Sequence, residues 1–437
     1  MSIAKNWSIT TINLLLERTP VIWLIFLAVF LFFYFIPSLI IVFNIDNNYL
    51  LPDRIHETII MFDISKKVLY NFHLSSYIFL FSYMLPLLYW SLLSKLPFLK
   101  LKRSSDAHLT DTIVASLNRP SAQMNLIINL ITLAAVLGCA ITLIYFIFIG
   151  WGFLGLLGSD TSMEDFRFFL YADEYRYFNY FLELARRILL PISVTFFIFI
   201  GLMKHGRLKL NMIILWLIMF LSGVMTLDRG PIFLSLALMI IYFLIQSKTF
   251  TSLLFKSIFG LLILVIAGGS ATYLQYNLGS DIEGLFSILE QGMVVLINRL
   301  FFDPAIMSLT YSFNEISGDQ GFLALSFSRI SVLWGNTYIG SFTDNSIYIA
   351  PVSVIGDTWR NFGHIGIFFV GFLLSFILLL LSKLQDKSYL FTRIPLMFLS
   401  VIFSFYIIVG NLFSVGPILI LLVIFILAIA TRIEKET

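Results

Sequence analysis

The chain has 437 residues, of which 59% are hydrophobic, 16% aromatic and only 12% charged, with a mean hydropathy of +0.94. This composition excludes a soluble globular domain and indicates a helical membrane protein with several spans. The formal net charge of +3 is small and scattered, which excludes a nucleic-acid-binding face of clustered Lys and Arg. The single cysteine, Cys139, excludes an intramolecular disulfide and a cysteine-based metal site.

Ten apolar runs have the length that a helix needs to cross a hydrocarbon core of about 30 Å. They cover residues 21–43, 73–93, 124–149, 187–203, 209–226, 231–246, 254–274, 362–382, 394–412 and 416–431. We therefore predict an all-α polytopic integral membrane protein with about ten transmembrane helices, in which residues 1–437 form a single membrane domain. The first run is too long for a signal-peptide core and lacks a small-residue cleavage site, so we expect it to be retained.

Lys and Arg concentrate in three connecting loops, and loops with this excess usually face the cytoplasm. These basic loops are 94–123, 204–208 and 383–393. Alternation of the helices then places both termini in the cytoplasm. The same alternation places four loops on the outer side, namely 44–72, 150–186, 227–230 and 275–361.

The segment 150–186 opens with the Gly-rich string IGWGFLGLLG and continues with aromatic and aliphatic residues at helical spacing. We predict an amphipathic helix along the outer interface, with its aromatic side chains at headgroup depth. Two roles stay open for this helix. It is either an aromatic belt that anchors the fold or a platform that guides a lipid tail.

The interval 275–361 is the largest predicted outer loop. It contains charged, aromatic, Gly and Pro residues in a chain that is otherwise poor in charge. Because charged residues are costly near lipid, we expect this loop to carry much of a functional site.

Three predicted helices begin at the outer face, and each carries an arginine at that end: Arg187, Arg229 and Arg360. The free backbone N–H groups and the dipole of such an end favour an anion. A diphosphate suits these ends, because guanidinium groups bind phosphate oxygens in a bidentate manner. The alternative is that each arginine extends to lipid phosphate or pairs with a neighbouring carboxylate, as Arg229 could with Asp228.

The sequence contains no Walker-type Gly-rich loop, no H-E-x-x-H, no G-x-S-x-G and no Cys/His spacing typical of a metal site. Its five histidines are dispersed along the chain. We therefore predict no bound metal, no cofactor and no coupling to ATP within this chain.

Three stretches of the second half resemble bacterial oligosaccharide repeat-unit polymerases, the O-antigen polymerase family. They are the Arg-Gly turn TLDRGP at 226–231, the outer segment SRISVLWGNTYIG at 328–340, and APVSVIGDTWRNFGHIG at 350–366, which leads into a helix. Arg329 and Gly340 also satisfy the Arg-x10-Gly pattern described for some family members. The segment 150–186 contains no such pairing.

The resemblance implies an inverting glycosyltransferase of the membrane-embedded C type in the bacterial inner membrane, with its active site facing the periplasm. Its donor would be a glycan on undecaprenyl diphosphate, and its acceptor a single repeat unit on a second such lipid. The reaction would release undecaprenyl diphosphate and build O-antigen or capsular polysaccharide. It would use no nucleotide sugar and no metal, and it would work beside a chain-length regulator protein.

The chemistry of such a transfer points to particular side chains. Charge that develops on the diphosphate leaving group needs fixed positive groups, for which the candidates are Arg229, Arg299, Arg329, Arg360 and Arg187. The attacking hydroxyl needs a general base. Asp357 is the first candidate and His364 the second, followed by Glu315 and Asp303.

Each candidate base also has a plain structural reading. Asp is a preferred capping residue, so Asp357 could be the N-cap of the eighth helix. An unpartnered histidine is only a candidate for chemistry, so His364 could be an interfacial residue with no chemical duty.

Two other functions stay open. An O-antigen ligase, which transfers the finished glycan to a lipid core, uses the same donor. A flippase or transporter of lipid-linked oligosaccharide would place its cationic residues in a central cavity and is typically built from inverted repeats with broken helices. The apolar runs here are almost free of charge away from their outer ends, which favours the polymerase over the transporter.

The predicted orientation can be measured with reporter fusions. A fusion at Lys102 should report the cytoplasm and a fusion at Ser317 the opposite side, because a basic loop is retained inside. A fusion at Lys387, in another basic loop, is the matched control and should agree with Lys102. The same side for Lys102 and Ser317 would contradict both the orientation and an outer site.

Overall fold

The computed structural model describes residues 20–44, 64–88, 122–147, 181–182, 184–205, 208–224, 229–245, 247, 250–277, 290, 293–294, 301–314, 353–385, 390–409 and 415–430. Every regular element within these ranges is a helix. In chain order the helices are α1 (Val21–Phe30, the π turn Leu31–Phe35, and Ile36–Asn44), α2 (Lys66–Leu88), α3 (Ala122–Tyr145), α4 (the π turn Ala185–Leu189, and Leu190–His205), α5 (Leu210–Val224), α6 (Arg229–Ile245), α7 (Phe250–Asn277), α8 (Asp303–Met307, and the π turn Ser308–Asn314), α9 (Ser353–Gln385), α10 (Leu390–Val409) and α11 (Val415–Ala430).

Each of the ten apolar runs overlaps one of these helices, so the helical class that the sequence predicts is confirmed. Among the described residues, three helices are long and apolar enough to cross a membrane: Val21–Phe43, Ile128–Tyr145 and Phe362–Leu384. Shorter apolar helices of 10–17 residues lie at Leu190–Phe199, Leu210–Val224, Ile232–Leu244, Thr251–Leu264 and Pro395–Ile408. This set of apolar helices is compatible with a membrane protein. The number of ten spans stays a prediction.

Helices α2 and α9 pack side by side and run in the same direction. Near their N-terminal ends, Ser75 contacts His364. Further along, Gly371 lies directly against the Ser82 side chain and the Phe79 carbonyl. Small residues at such a crossing let two helix backbones approach closely. Helices in a membrane usually associate in this way, because the hydrophobic effect does not drive them together in lipid.

Helix α1 is held between α2 and α9 by Trp23. Its indole N–H donates to Ser375 Oγ at 2.7 Å, and its backbone N–H donates to Ser382 Oγ at 3.3 Å. The Tyr83 hydroxyl donates to the Trp23 carbonyl at 2.9 Å, and the two rings stack with centroids 5.0 Å apart. Because a backbone N–H in the first turn of a helix has no intrahelical partner, Ser382 satisfies a group that burial would otherwise leave unpaired.

Helices α3 and α4 are antiparallel neighbours. Ser193 Oγ donates to the Ile131 carbonyl at 3.2 Å. Gly138 follows Ile131 by seven residues in α3, and it lies against Leu190 at the start of α4. The first turn of α4 contains Arg186, which is 3% exposed. A guanidinium is rarely that buried in a protein, so this end of α4 is covered by other parts of the chain.

The interval 275–361, predicted as an outer loop, contains a buried helix that the sequence pattern does not reveal. Helix α8 contacts α1, α2 and α9, and both its charged residue Asp303 and its Ser308 side chain are buried. Helix α7 also extends to Asn277, and α9 already begins at Ser353. The predicted interfacial segment 150–186 lies outside the described residues except at its C-terminal end.

The early start of α9 corrects one of the readings of the sequence. Asp357 lies inside the helix, four residues after Ser353, so its interpretation as the N-cap of the eighth helix is wrong. The predicted start near residue 362 marks the beginning of the long apolar part of α9. The preceding turn was missed because it contains polar residues that an apolar-run criterion does not count.

We expect the α2–α9 contact to tolerate no larger side chain at position 371. A Cβ added there would overlap Ser82 Oγ and lie 3.1 Å from the Phe79 carbonyl, and backbone atoms do not move aside easily. Gly371→Leu should therefore lower the free energy of unfolding by about 1–3 kcal/mol or more, measured as thermal unfolding of the purified protein in detergent. Leu373→Ala is the control, because Leu373 is 57% exposed on the outside of α9. Equal unfolding temperatures for both variants would contradict this packing.

Candidate functional site

The candidate site lies where the first turns of α9 meet α8, α1 and α2. Three rings form its wall. Trp359 stacks on Phe313 of α8 with centroids 4.7 Å apart and planes 14° apart, and it meets His364 edge-on at 4.4 Å. Phe313 in turn contacts Phe72 of α2 at 5.4 Å. These contacts fix the N-terminal part of α9 against two other helices.

His364 is held by a hydrogen bond as well as by the ring contact. Its Nδ1 lies 3.1 Å from the Ser75 Oγ of α2. Ser75 is fully buried, whereas His364 is half-buried. Among the described residues no hydrogen bond involves Nε2, which points away from the serine. The bond to Ser75 and the contact with Trp359 therefore fix the plane of the imidazole.

Helix α9 is interrupted between Trp359 and His364. Gly363 has φ 61° and ψ −158°, a combination that residues with a Cβ avoid. A Cβ built on Gly363 would meet no other atom within 4 Å, so the glycine is required by the backbone and not by space. The first residue of α9, Ser353, also has a positive φ of 57°. Unusual backbone of this kind is concentrated at functional sites.

A second cluster, the serine cluster, lies beneath the first turn of α9 and consists of Ser76, Ser308 and Ser353. The Ser308 and Ser353 hydroxyl oxygens are 3.1 Å apart. Because the Ser308 hydroxyl donates to the Pro304 carbonyl at 2.7 Å, the proton between the two serines comes from Ser353. All three side chains are buried. The bond between Ser308 and Ser353 joins α8 to α9, while the Ser76 hydroxyl donates within α2 to the Phe72 carbonyl at 3.1 Å.

The Tyr34 hydroxyl faces this serine cluster from the π turn of α1. It is fully buried and, within the described ranges, makes no hydrogen bond of acceptable geometry, although the three serine side chains surround it. A hydroxyl near an acceptor is bonded only when the angle also fits. Buried polar groups of this kind are costly when unpaired.

The candidate residues that the sequence identified fall into three groups. His364 is fully described and belongs to the site. Asp357 and Arg360 lie on the first turns of α9 at a spacing of three, which places them on one side of the helix. Arg229 is the first residue of α6, and Arg187 lies in the π turn of α4. The side chains of these last four residues lie outside the described part of the structure.

Of the remaining candidates, the structure describes Asp303 alone. Arg299, Arg329 and Glu315 lie outside the described residues. Asp303 is buried in the first turn of α8, where the free N–H groups of the helix favour a negative charge. This burial gives Asp303 a structural role in α8 and removes it from contact with solvent.

Several residues of the site were missed by the sequence analysis. Ser75, which precedes Ser76, and Tyr34 are polar residues inside apolar runs, and Trp359 is one of many aromatic residues in the chain. The signal that could have identified Ser75 and Tyr34 is a hydroxyl group within an apolar run, since such groups need a partner. Gly363 follows a polar segment and could have been read as a helix break.

The described residues contain no group of three His, Cys, Asp or Glu side chains that could hold a metal ion. Among the described side chains the site offers a fixed imidazole, and Asp357 and Arg360 lie on the same short stretch of α9. Comparisons with protein-family models, with curated proteins and with solved structures gave no match.

We expect Gly363→Ala to strain the break in α9. Alanine at φ 61° should lower the free energy of unfolding by about 1–3 kcal/mol, even though its methyl group has open space. Thermal unfolding of the purified variant measures the change. Ile365→Ala, at a neighbouring position that is 72% exposed, is the control. An unchanged unfolding temperature for Gly363→Ala would show that the positive φ is not required.

Proposed function

We propose that this protein is an oligosaccharide repeat-unit polymerase of the bacterial inner membrane. It transfers a growing glycan from undecaprenyl diphosphate to a single repeat unit on a second lipid carrier, with inversion at the anomeric carbon, and it yields O-antigen or capsular polysaccharide. Its ten helices cross the membrane with both termini in the cytoplasm, its site faces the periplasm, and a chain-length regulator protein is its partner.

One observation carries the proposal. The stretch 350–366 resembles the polymerase family, and its described part folds into the broken start of α9. Here Asp357, Arg360 and His364 lie within eight residues. A base and a cation in such proximity are what a glycosyl transfer from a diphosphate needs. The hydrogen bond from Ser75 and the contact with Trp359 support a site held ready for substrate.

The positive groups act on the leaving group. As the bond between the anomeric carbon and the diphosphate breaks, its electron pair moves to a phosphate oxygen. Arg229 stabilises that charge together with the N-terminus of α6, which begins at this residue. Arg187 in the π turn of α4 and Arg360 inside α9 add their positive charges. Arg299 and Arg329 bind the glycan or the second diphosphate. No metal is required for this step.

The carboxylate acts on the acceptor. The hydroxyl of the incoming repeat unit loses its proton to Asp357 while its oxygen bonds to the anomeric carbon from the face opposite the diphosphate. His364 is the second candidate for this role. The products are the lengthened glycan on the acceptor lipid, undecaprenyl diphosphate, and a proton held by the base.

The broken helices give specific support to a second candidate, a transporter of lipid-linked oligosaccharide. Transporter sites are typically built at interrupted helices near the membrane midplane, and here α9 is interrupted at Gly363 while α1 and α8 contain π turns. The ligase, which uses the same donor, is the third. The three differ in the lipid-linked glycan that accumulates when the protein is inactive.

The proposal is tested in cells that make the polysaccharide. Asp357→Asn keeps the size of the side chain but removes the base, so polymer formation should fall roughly 10²–10⁴-fold while single repeat units collect on the carrier lipid at the outer face. Ile365→Ala is the control and should give normal polymer at equal protein level, because Ile365 is exposed on α9. Normal polymer from Asp357→Asn would remove that residue from the reaction.

The deletion strain separates the three functions. Long polymer on the carrier lipid would contradict the polymerase and establish the ligase. Repeat units that accumulate at the cytoplasmic face would establish the transporter. Single units at the outer face support the polymerase.

A further inference from the structure

The hydrogen bond between Ser75 and His364 bears on which nitrogen of the imidazole carries the proton. A neutral histidine has one N–H, on Nδ1 or on Nε2, and the partner of one nitrogen decides the state of the other. Because Nδ1 is 3.1 Å from Ser75 Oγ, either atom could be the donor on distance alone. The rest of the Ser75 environment decides between them.

Serine hydroxyls inside helices normally donate to a carbonyl one turn earlier. Ser76 follows this rule with the Phe72 carbonyl at 3.1 Å, and so does Ser82 with the Phe79 carbonyl at 2.9 Å. Ser75 does not. Among the described residues its hydroxyl makes one hydrogen bond, and that bond is to His364. Within the part of the chain that the structure describes, the imidazole is therefore the acceptor open to the Ser75 proton.

Burial settles the direction of this bond. Ser75 is fully buried, and a buried hydroxyl proton without an acceptor costs about 1–3 kcal/mol. If Nδ1 carried the proton, Ser75 would accept that bond and its own proton would be left unpaired. If Ser75 donates to Nδ1, both Ser75 Oγ and Nδ1 are satisfied, and the N–H on Nε2 is left for a ligand. A doubly protonated ring would also donate from Nδ1 to Ser75 and leave the serine proton unpaired. The arrangement therefore also favours the neutral imidazole.

We infer that Ser75 fixes His364 as the neutral Nε2–H tautomer, so that His364 is a hydrogen-bond donor to an anionic phosphate oxygen of the lipid-linked substrate and not the base. This role rests on the proposed function. During transfer the Nε2–H bonds to the oxygen that receives the electron pair of the breaking bond, and no proton leaves the ring. The proton of the acceptor hydroxyl goes to Asp357. Ser75 is a positioning residue, and Trp359 keeps the ring plane fixed.

The tautomer can be observed without any activity. In the full-length protein labelled with ¹⁵N-histidine, the ¹⁵N signals of His364, identified by their loss in His364→Gln, should show a bare Nδ1 and a protonated Nε2. Ser75→Ala should release the ring into a mixture of tautomers, and Ser75→Thr, which keeps the hydroxyl, should restore the single form. A protonated Nδ1 in the wild type, or an unchanged spectrum for Ser75→Ala, would overturn the inference.

The ligand is tested on the same sample. A polyprenyl diphosphate should shift the Nε2 signal of His364, and inorganic pyrophosphate at the same concentration shows whether the diphosphate group suffices without its lipid tail. A shift with either probe supports an anionic phosphate ligand. No shift with both would overturn it. These measurements need no polymerase activity, so they succeed or fail independently of the proposed function.

The activities of two matched variants of His364 distinguish a hydrogen-bond donor from a general base. His364→Gln retains an N–H near the position of Nε2 but accepts no proton, and His364→Glu accepts a proton but offers no N–H. For a donor, Gln should keep polymer formation within about tenfold of wild type, while Glu should lose roughly 10²–10³-fold, as for the loss of a donor to a developing oxyanion. The reverse order at equal protein levels would make His364 the base and overturn the inference.

Discussion

The close contact between α2 and α9 is the constraint on which the candidate site depends. Gly371 lies against Ser82, and Ser75 bonds to His364. In each helix these two contact positions are seven residues apart, which is two turns. Parallel helices whose contacts repeat every seven residues meet along one continuous seam. A side chain that separated the backbones at Gly371 would therefore also lengthen the 3.1 Å bond two turns away.

Hydroxyl groups attach a different neighbouring helix at each end of this seam. Toward the C-terminal end of α9, Ser375 and Ser382 accept bonds from Trp23 and attach α1. Toward the N-terminal end, the serine cluster attaches α8. In a medium that offers no water, each polar group must find its partner within the protein. The bundle near the site is thus held by specific directional bonds in addition to apolar packing, which favours a single arrangement of the helices.

The sequence predicted the helices far better than the site. Apolar runs identify helices because the length of a run and the absence of charge are local properties, and every run overlaps a helix. Helix α8 was missed because it is short and is stabilised by contacts with distant helices. The pairing of Ser75 with His364 joins residues 289 positions apart in the chain, and nothing in either local sequence specifies it. The reading of Asp357 as an N-cap failed because the helix begins four residues earlier, at Ser353.

The break at Gly363 explains how one short stretch can supply groups with different tasks. In an uninterrupted α-helix, two residues five positions apart point about 140° away from each other. Trp359 and His364 are five positions apart, yet their rings are 4.4 Å apart, because the helix changes direction between them. Residues before the break, such as Asp357, and residues after it, such as His364, therefore belong to two helical segments with separate orientations. In the transfer that we propose, a carboxylate for the acceptor and a donor for the leaving group require such separate orientations, since an inverting transfer places nucleophile and leaving group on opposite faces of the sugar.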